Sequence, residues 1–235
     1  DESERFGLKS FKALGGAYAV ACVLRSYLKK ILPNVDIQNR DILSGKYSDL
    51  LKEFTVATAT DGNHGRSVAW GAQQCGINCF IYMHKAVSKN RAIAVEKFGA
   101  KVVWVDGNYD DSVDLIKQDA IKNNWQIISD TSYVGYTDIP KFVMAGYTVM
   151  TQEIFKQLDN ELIPTHIIIQ GGVGGLAAAI WAQSIALWGS KRPKFIVVEP
   201  ETADCLYQSA ILGKPKMVQI EKETLMGGLS CGEVS

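Results

Sequence analysis

The chain is expected to fold as two α/β units, each a parallel sheet between helical layers, and three observations lead there. Short β-branched runs alternate with amphipathic stretches, the pattern of parallel strands joined by covering helices. Glycines fall where helices should end, at Gly76, Gly99 and Gly189. The length, 235 residues, is enough for two modest cores.

Taken in order, strands are expected at 55–59, 79–83, 102–105, 125–129, 166–170 and 195–198. Helices are expected at 11–30, 65–74, 88–98, 110–123, 140–158 and 176–188. The break between packing units falls best at 159–164, with 137–140 nearly as good. Hydrophobic residues make up 47% and charged residues 21%, the balance of an ordinary soluble globular protein. A formal net charge of zero provides no global field for nucleic acid or an anionic membrane surface, so neither partner is expected. No apolar run approaches the roughly 20 residues that cross a bilayer, and none opens the chain as a signal peptide. Five cysteines, Cys22, Cys75, Cys79, Cys205 and Cys231, are irregularly spaced and odd in number, which predicts free thiols in a reducing, cytoplasmic setting. The chain has no initiator Met, and Gly227-Gly228-Leu229-Ser230-Cys231-Gly232 reads as the interior of an active-site loop, so a fragment is expected.

Three segments carry chemistry. Ser10-Phe11-Lys12-Ala13-Leu14-Gly15-Gly16 opens a helix. A lysine that forms an imine must shed its proton, and both apolar neighbours and a helix N-terminus disfavour its cation. Lys12, between Phe11 and Leu14, fits; the plain alternative is a solvated first-turn lysine. Thr60-Asp61-Gly62-Asn63-His64-Gly65 follows a strand and opens a helix. Its glycines let a flat ligand approach the backbone, Asn63 can donate to a phenolic oxygen, and Asp61 can accept a proton. An Asx turn with a helix cap explains the same residues.

The third segment, Gly171-Gly172-Val173-Gly174-Gly175, lies between a strand and a helix. Backbone N–H groups converging there, with a helix N-terminus behind them, form an anion cradle suited to phosphate. A rival exists, because Gly172-Val173-Gly174-Gly175-Leu176-Ala177 also fits the dinucleotide pattern, and Glu199 ends the following strand where a ribose-binding acid would sit. That pattern usually belongs to the first strand of its domain, and here several strands precede it. His84 and His166 have no metal-ligand spacing to a Cys or carboxylate cluster, so no metal site is expected. His64 beside Asn63 is explained by packing at the helix start.

The order of lysine segment, Gly-Asn-His loop and glycine-rich loop resembles the tryptophan-synthase-β-like, fold type II enzymes that use pyridoxal 5′-phosphate. Among these it is similar to the diaminopropionate ammonia-lyases. The resemblance extends through Phe98-Gly99-Ala100-Lys101-Val102, Asn108-Tyr109-Asp110-Asp111, Asp130-Thr131, Val198-Glu199-Pro200 and Ala203-Asp204-Cys205. Its most specific mark is Asp61, since related dehydratases and racemases usually carry Ser there. The resemblance implies two three-layer α/β/α domains of the fold type II kind in a chain truncated at both ends. Residues 1–137 would be the smaller domain and 138–235 part of the larger one. It implies pyridoxal phosphate held as an imine on Lys12, with Asn63 and Gly171, Gly172, Val173, Gly174 and Gly175 binding the cofactor. The implied reaction is α,β-elimination of D- and L-2,3-diaminopropionate to pyruvate and ammonia. Lys12 and Asp61 would take protons from opposite faces, and Asp130 would be a second acidic residue, or else a turn aspartate at a strand end. The family also implies a cytoplasmic homodimer acting on a small amino acid. A contact between the segments of Cys205 and Cys231 is conceivable, with two free thiols expected. Alternatives are a serine or threonine dehydratase, an NAD-binding protein, or an inactive fragment.

Overall fold

The computed structural model describes residues 2, 4–60, 62–158, 162–222 and 224–235. The chain divides into two compact units, Asp1–Ser129 and Asp130–Ser235. They part ahead of residue 137, where the family boundary is expected. They also part ahead of 159–164, whose first three residues lie outside the described ones.

In the first unit, α1 (Lys12–Ile31) and the short helices α2 (Asn39–Leu43) and α3 (Ser48–Leu51) precede a sheet. The alternation that follows is β1 (Thr55–Ala59), α4 (Asn63–Cys75), β2 (Asn78–His84), α5 (Lys89–Glu96), β3 (Lys101–Val105), α6 (Tyr109–Asn123) and β4 (Gln126–Ile127). The described strands form one parallel sheet in the order β3-β2-β1-β4, with Thr55 opposite Asn78 and Phe80 opposite Lys101. Side chains alternate between the faces of a strand. One face presents Ala57, Tyr82 and Val105 to Ile116 of α6, with Phe80, Trp125 and Ile127 packed around them. Tyr82 also donates its hydroxyl to Asp119 of α6 at 2.5 Å. The other face buries Val56, Thr58, Ile81 and Met83, and α4 lies over it.

Local chemistry explains the element ends. Asn108 accepts the N–H of Asp111, and the Asp111 carboxylate accepts the N–H of Asn108, a capping box that starts α6. Gly76 closes α4 in the left-handed region at φ 65°, as its position in the sequence suggests. β4 stops short of the expected residue 129, because the Ile128 carbonyl bonds the His64 side chain instead of a strand.

The second unit begins with α7 (Asp138–Gln157), then β5 (His166–Gln170), α8 (Gly175–Trp188), β6 (Lys194–Val198) and α9 (Cys205–Leu212). β5 and β6 run parallel, with His166 opposite Lys194 and Gln170 opposite Val198. α8 packs on α7, and the pair buries Ile180, Ser184, Val143 and Tyr147. Much of the two-stranded sheet is exposed, Ile168 at 69%, in contrast to the first sheet, which is covered on both faces. No helix among the described residues is long and apolar enough to cross a membrane.

α1 and α4 make the closest contact of the first unit. A Cβ on Gly71 of α4 would lie 2.8 Å from the Cα of Ala17, and one on Gly16 of α1 would lie 2.7 Å from the Ser67 hydroxyl oxygen. Glycine inside a helix costs about 1 kcal/mol against alanine, so close approach is what it provides. Gly71→Ala should therefore destabilise the protein by roughly 1–3 kcal/mol through overpacking, despite its better helix propensity. Thermal unfolding checks this, and an unchanged or raised Tm would show that the helices can separate at no cost.

Candidate active site

The strand order locates the site. From β1 the chain steps to β2 and then β3, and α6 carries it back to the far side of β1, where β4 pairs. In open α/β sheets, ligands bind outside the carboxyl ends of the strands where the order reverses in this way. The carboxyl end of β1 leads into Thr60–Asn63, and that of β4 leads into Ile128–Asp130.

At the β1 end, Thr60 holds the backbone that follows it. Its buried hydroxyl oxygen accepts the N–H groups of Gly62, at 3.1 Å, and Gly65, at 3.3 Å, and so caps α4. Gly62 stands at φ 154°, ψ −76°, a conformation that residues with a Cβ avoid. Asn63 is then the first residue of the helix, exposed, and none of the described side chains or backbone groups takes its amide. His64 is buried, and its Nε2 lies 2.9 Å from the Ile128 carbonyl oxygen, a structural tie between α4 and the β4 end. Asp61 lies outside the described residues. Arg91 of α5 reaches this turn, its Cδ 3.2 Å from where a Gly62 Cβ would be. Asp130, three residues past β4, is half-buried.

Lys12 is the first residue of α1 and half-buried. The Ser10 hydroxyl accepts its backbone N–H at 3.2 Å, and its ammonium nitrogen sits 5.6 Å from the centre of the Phe11 ring. The neighbouring Lys9 is exposed and left-handed, at φ 54°.

In the second unit the glycine loop connects β5 to α8. Gly171 extends the ladder by donating to the Val198 carbonyl, and Ala178 donates to Gly174. Between them, the N–H groups of Gly172, Val173, Gly174 and Gly175 have no acceptor among the described residues. They stand at the N-terminus of α8, where the helix contributes partial positive charge. Gly174 takes φ 95°, and a Cβ there would lie 2.8 Å from Leu206. Four free donors with a helix behind them fit a phosphate dianion, so these residues suit the cofactor that the family resemblance implies. Ser235 closes the other side of the loop, donating its N–H to the Val173 carbonyl at 2.7 Å and accepting the Ser132 N–H at 2.9 Å.

Glu199 is committed elsewhere than the dinucleotide reading requires. Its two carboxylate oxygens accept the N–H groups of Leu206 and Tyr207, each at 2.8 Å, at the start of α9. The residues that sequence reasoning passes over are Thr60, Arg66, Ser67 and the capping role of Glu199. A Thr before a helix start is a cap signal, whereas Arg66 and Ser67 join distant segments and Glu199 caps a helix seven residues on, which no local spacing announces.

The five cysteines, all among the described residues, form no disulfide. Cys205 is buried beside Gly172, its sulfur 3.6 Å from that carbonyl oxygen, while Cys231 is half-buried with its sulfur 3.3 Å from the Gly172 Cβ position. Burial first, then the negative charge of Glu199 and the nearby Cys231, pushes the Cys205 thiol up to about 11. A raised pKa leaves little thiolate at neutral pH, and the thiolate is the nucleophile. Iodoacetamide at pH 8 is therefore expected to label Cys231 well before Cys205, followed by peptide mass spectrometry. Equal rates at the two positions would mean that the Cys205 pocket opens freely.

Comparison with known proteins identifies the family. The model of the pyridoxal-phosphate-dependent enzyme family matches residues 1–235. Diaminopropionate ammonia-lyase of Escherichia coli K12 is 40% identical over 234 residues, covering 99% of this chain and 57% of its own length. The Salmonella typhimurium LT2 enzyme of that name is 40% identical over 237 residues, covering 99% of this chain and 58% of its own. The crystal structure of the selenomethionine-incorporated holo diaminopropionate ammonia lyase from Escherichia coli superposes with a TM-score of 0.87 at 38% identity. That match covers 100% of this chain and 57% of the other. The chain thus spans somewhat over half the length of these relatives, and its parallel-sheet α/β architecture is theirs, the fold type II kind. With the whole sequence matched, the chain belongs to the family of pyridoxal-phosphate-dependent enzymes.

Proposed function

We propose that the protein containing this chain is an ammonia-lyase that converts 2,3-diaminopropionate and water to pyruvate and two molecules of ammonia. The observation that carries the reading is the row of N–H groups from Gly172 to Gly175 without an acceptor among the described residues, at the head of α8. It supports phosphate binding in a chain whose family uses a phosphorylated cofactor. The substrate rests on the 40% identity to diaminopropionate ammonia-lyases and on Asp61 in the asparagine turn.

In this reading Lys12 would be the point of covalent attachment, the Asn63 amide would donate to the ring oxygen, and the loop from Gly171 to Gly175 would take the phosphate. When bound, pyridoxal phosphate supplies the electron sink that makes the α-proton of an amino acid removable. The chain's residues then decide where that proton goes. Lys12, as the neutral amine, takes it from one face, and Asp61 takes it from the other. Asp130 holds the β-ammonium of the substrate or returns a proton to the leaving amine. The lysine and asparagine segments belong to the family's smaller domain, and the glycine loop to its larger one. A cytoplasmic homodimer completes the proposal; cysteines that form no disulfide suit a reducing compartment.

Two measurements test this. Borohydride reduction of the full-length protein loaded with pyridoxal phosphate is expected to fix the cofactor on the peptide containing residue 12. Labelling at Lys9, Lys29 or Lys85 instead would overturn the assignment. The second test is stereochemical. General-base assistance is worth about 10²–10⁴ in rate, so Asp61→Asn should cut turnover of the D-enantiomer by that order and affect the L-enantiomer much less. Equal losses on both enantiomers would make Asp61 an organiser of the turn and remove it as a face-specific base.

A further inference from the structure

We infer that Arg66 and Ser67, on the first turns of α4, form a clamp that sets the position of Lys12. The two are positioning residues, and the role assigned to them rests on Lys12 being the cofactor lysine.

Both reach out of the asparagine helix to the chain on either side of Lys12. On the upstream side, the Arg66 guanidinium donates to the Leu8 carbonyl at 2.9 Å. On the downstream side, the Ser67 hydroxyl accepts the N–H of Ala17 at 2.9 Å and donates to the carbonyl of Ala13 at 3.1 Å. Ala13 and Ala17 are four residues apart, the pair of groups that a regular helix joins directly. A side chain from another helix therefore bridges the first full turn of α1, immediately after Lys12, an arrangement that re-aims a helix. Gly16 makes this possible, since a Cβ there would lie 2.9 Å from the Cβ of Ser67.

The segment before Lys12 shows why it has to be held. Phe6 and Lys9 both adopt left-handed backbone, at φ 52° and 54°, a region that residues with a Cβ avoid and keep only when the surroundings enforce it. Two contacts from α4 enforce it: the Arg66 bond to Leu8, and Trp70, stacked on Phe6 with ring centres 4.8 Å apart and planes 12° from parallel. Arg66 and Trp70 lie one turn apart on α4, as do Ser67 and Gly71, so a single face of the asparagine helix grips residues 6–17. Arg66 is also an expensive residue for this place, because its Nε is buried without a partner among the described residues. Stability alone would not select a guanidinium with a stranded donor. The clamp makes the distance between Lys12 and Asn63 a property of one helix, with Asn63 three residues before Arg66.

The test uses full-length protein with Ser67→Ala, Arg66→Ala and, as the conservative change, Arg66→Lys. Without cofactor, amide exchange across residues 8–17 is expected to rise about fivefold in each alanine variant, the worth of one hydrogen bond, with β1 and β2 unaffected. On addition of pyridoxal phosphate, the visible band is expected to form at least tenfold more slowly, with borohydride still labelling residue 12. Arg66→Lys, which keeps a donor for Leu8, is expected to stay within threefold of wild type on both measures. Unchanged exchange at 8–17 would show there is no clamp. Faster exchange with an unchanged rate of band formation would show a merely structural tie and overturn the positioning role. A wild-type protein that forms no band on Lys12 would defeat the reading on which the inference rests, while the exchange data would stand apart from it.

Discussion

α1 and α4 touch at a separation that tolerates almost no side chain between them. Gly71 faces Ala17 and Gly16 faces Ser67, and each contact is closer than an added Cβ allows. The placement of both chemical segments in the first unit follows from this contact. α4 is fixed on the sheet by Val68, Ala69 and Ala72, all buried, and by the His64 bond to the β4 end. α1 is fixed on α4, so Lys12 inherits its coordinates from the sheet through two helices. Interiors are packed densely enough that such a chain of contacts transmits position with little slack.

The second unit uses the same physical resource twice, in opposite ways. The N-terminus of α8 keeps its donors open among the described residues, because the glycine loop supplies no side-chain acceptor. The N-terminus of α9 is satisfied internally, by both oxygens of Glu199. A carboxylate at a helix N-terminus is stabilised by the helix dipole, so Glu199 fastens α9 to the end of β6. Leu206, on the first turn of α9, then packs against the positions of Gly171 and Gly174. The open helix end is thus shaped by the closed one.

Much of this was legible in the residues. β1 and β5 fall where their β-branched runs predict, and the six long helices agree to within a residue or two at most ends. α2, α3 and α9 have no such signal, because four to eight residues provide too little periodicity to separate a helix from a loop. The glycine loop was visible as a candidate anion cradle, but its competition with a dinucleotide pattern could be weighed only once the Glu199 carboxylate was seen to cap α9. The asparagine turn was legible as a place, whereas its internal roles were not. Asp and Asn are strong caps by composition, and the cap that Thr60 supplies to Gly65 has no distinct signal beside them. Arg66 and Ser67 carry no local signal at all, since the bonds they make span 50 residues of chain or more.

The Thr60 cap has a consequence for how such a turn can change over generations. A helix that depended on its reactive residues for its own start could not exchange them without unravelling, and every change of chemistry would be screened first for folding. Here the hydroxyl that starts α4 comes one residue before position 61 and three before position 63. Substitution at 63 leaves the N–H groups of Gly62 and Gly65 with their acceptor on Thr60. Such a turn can drift from one reaction to another through viable intermediates, with the helix start inherited intact.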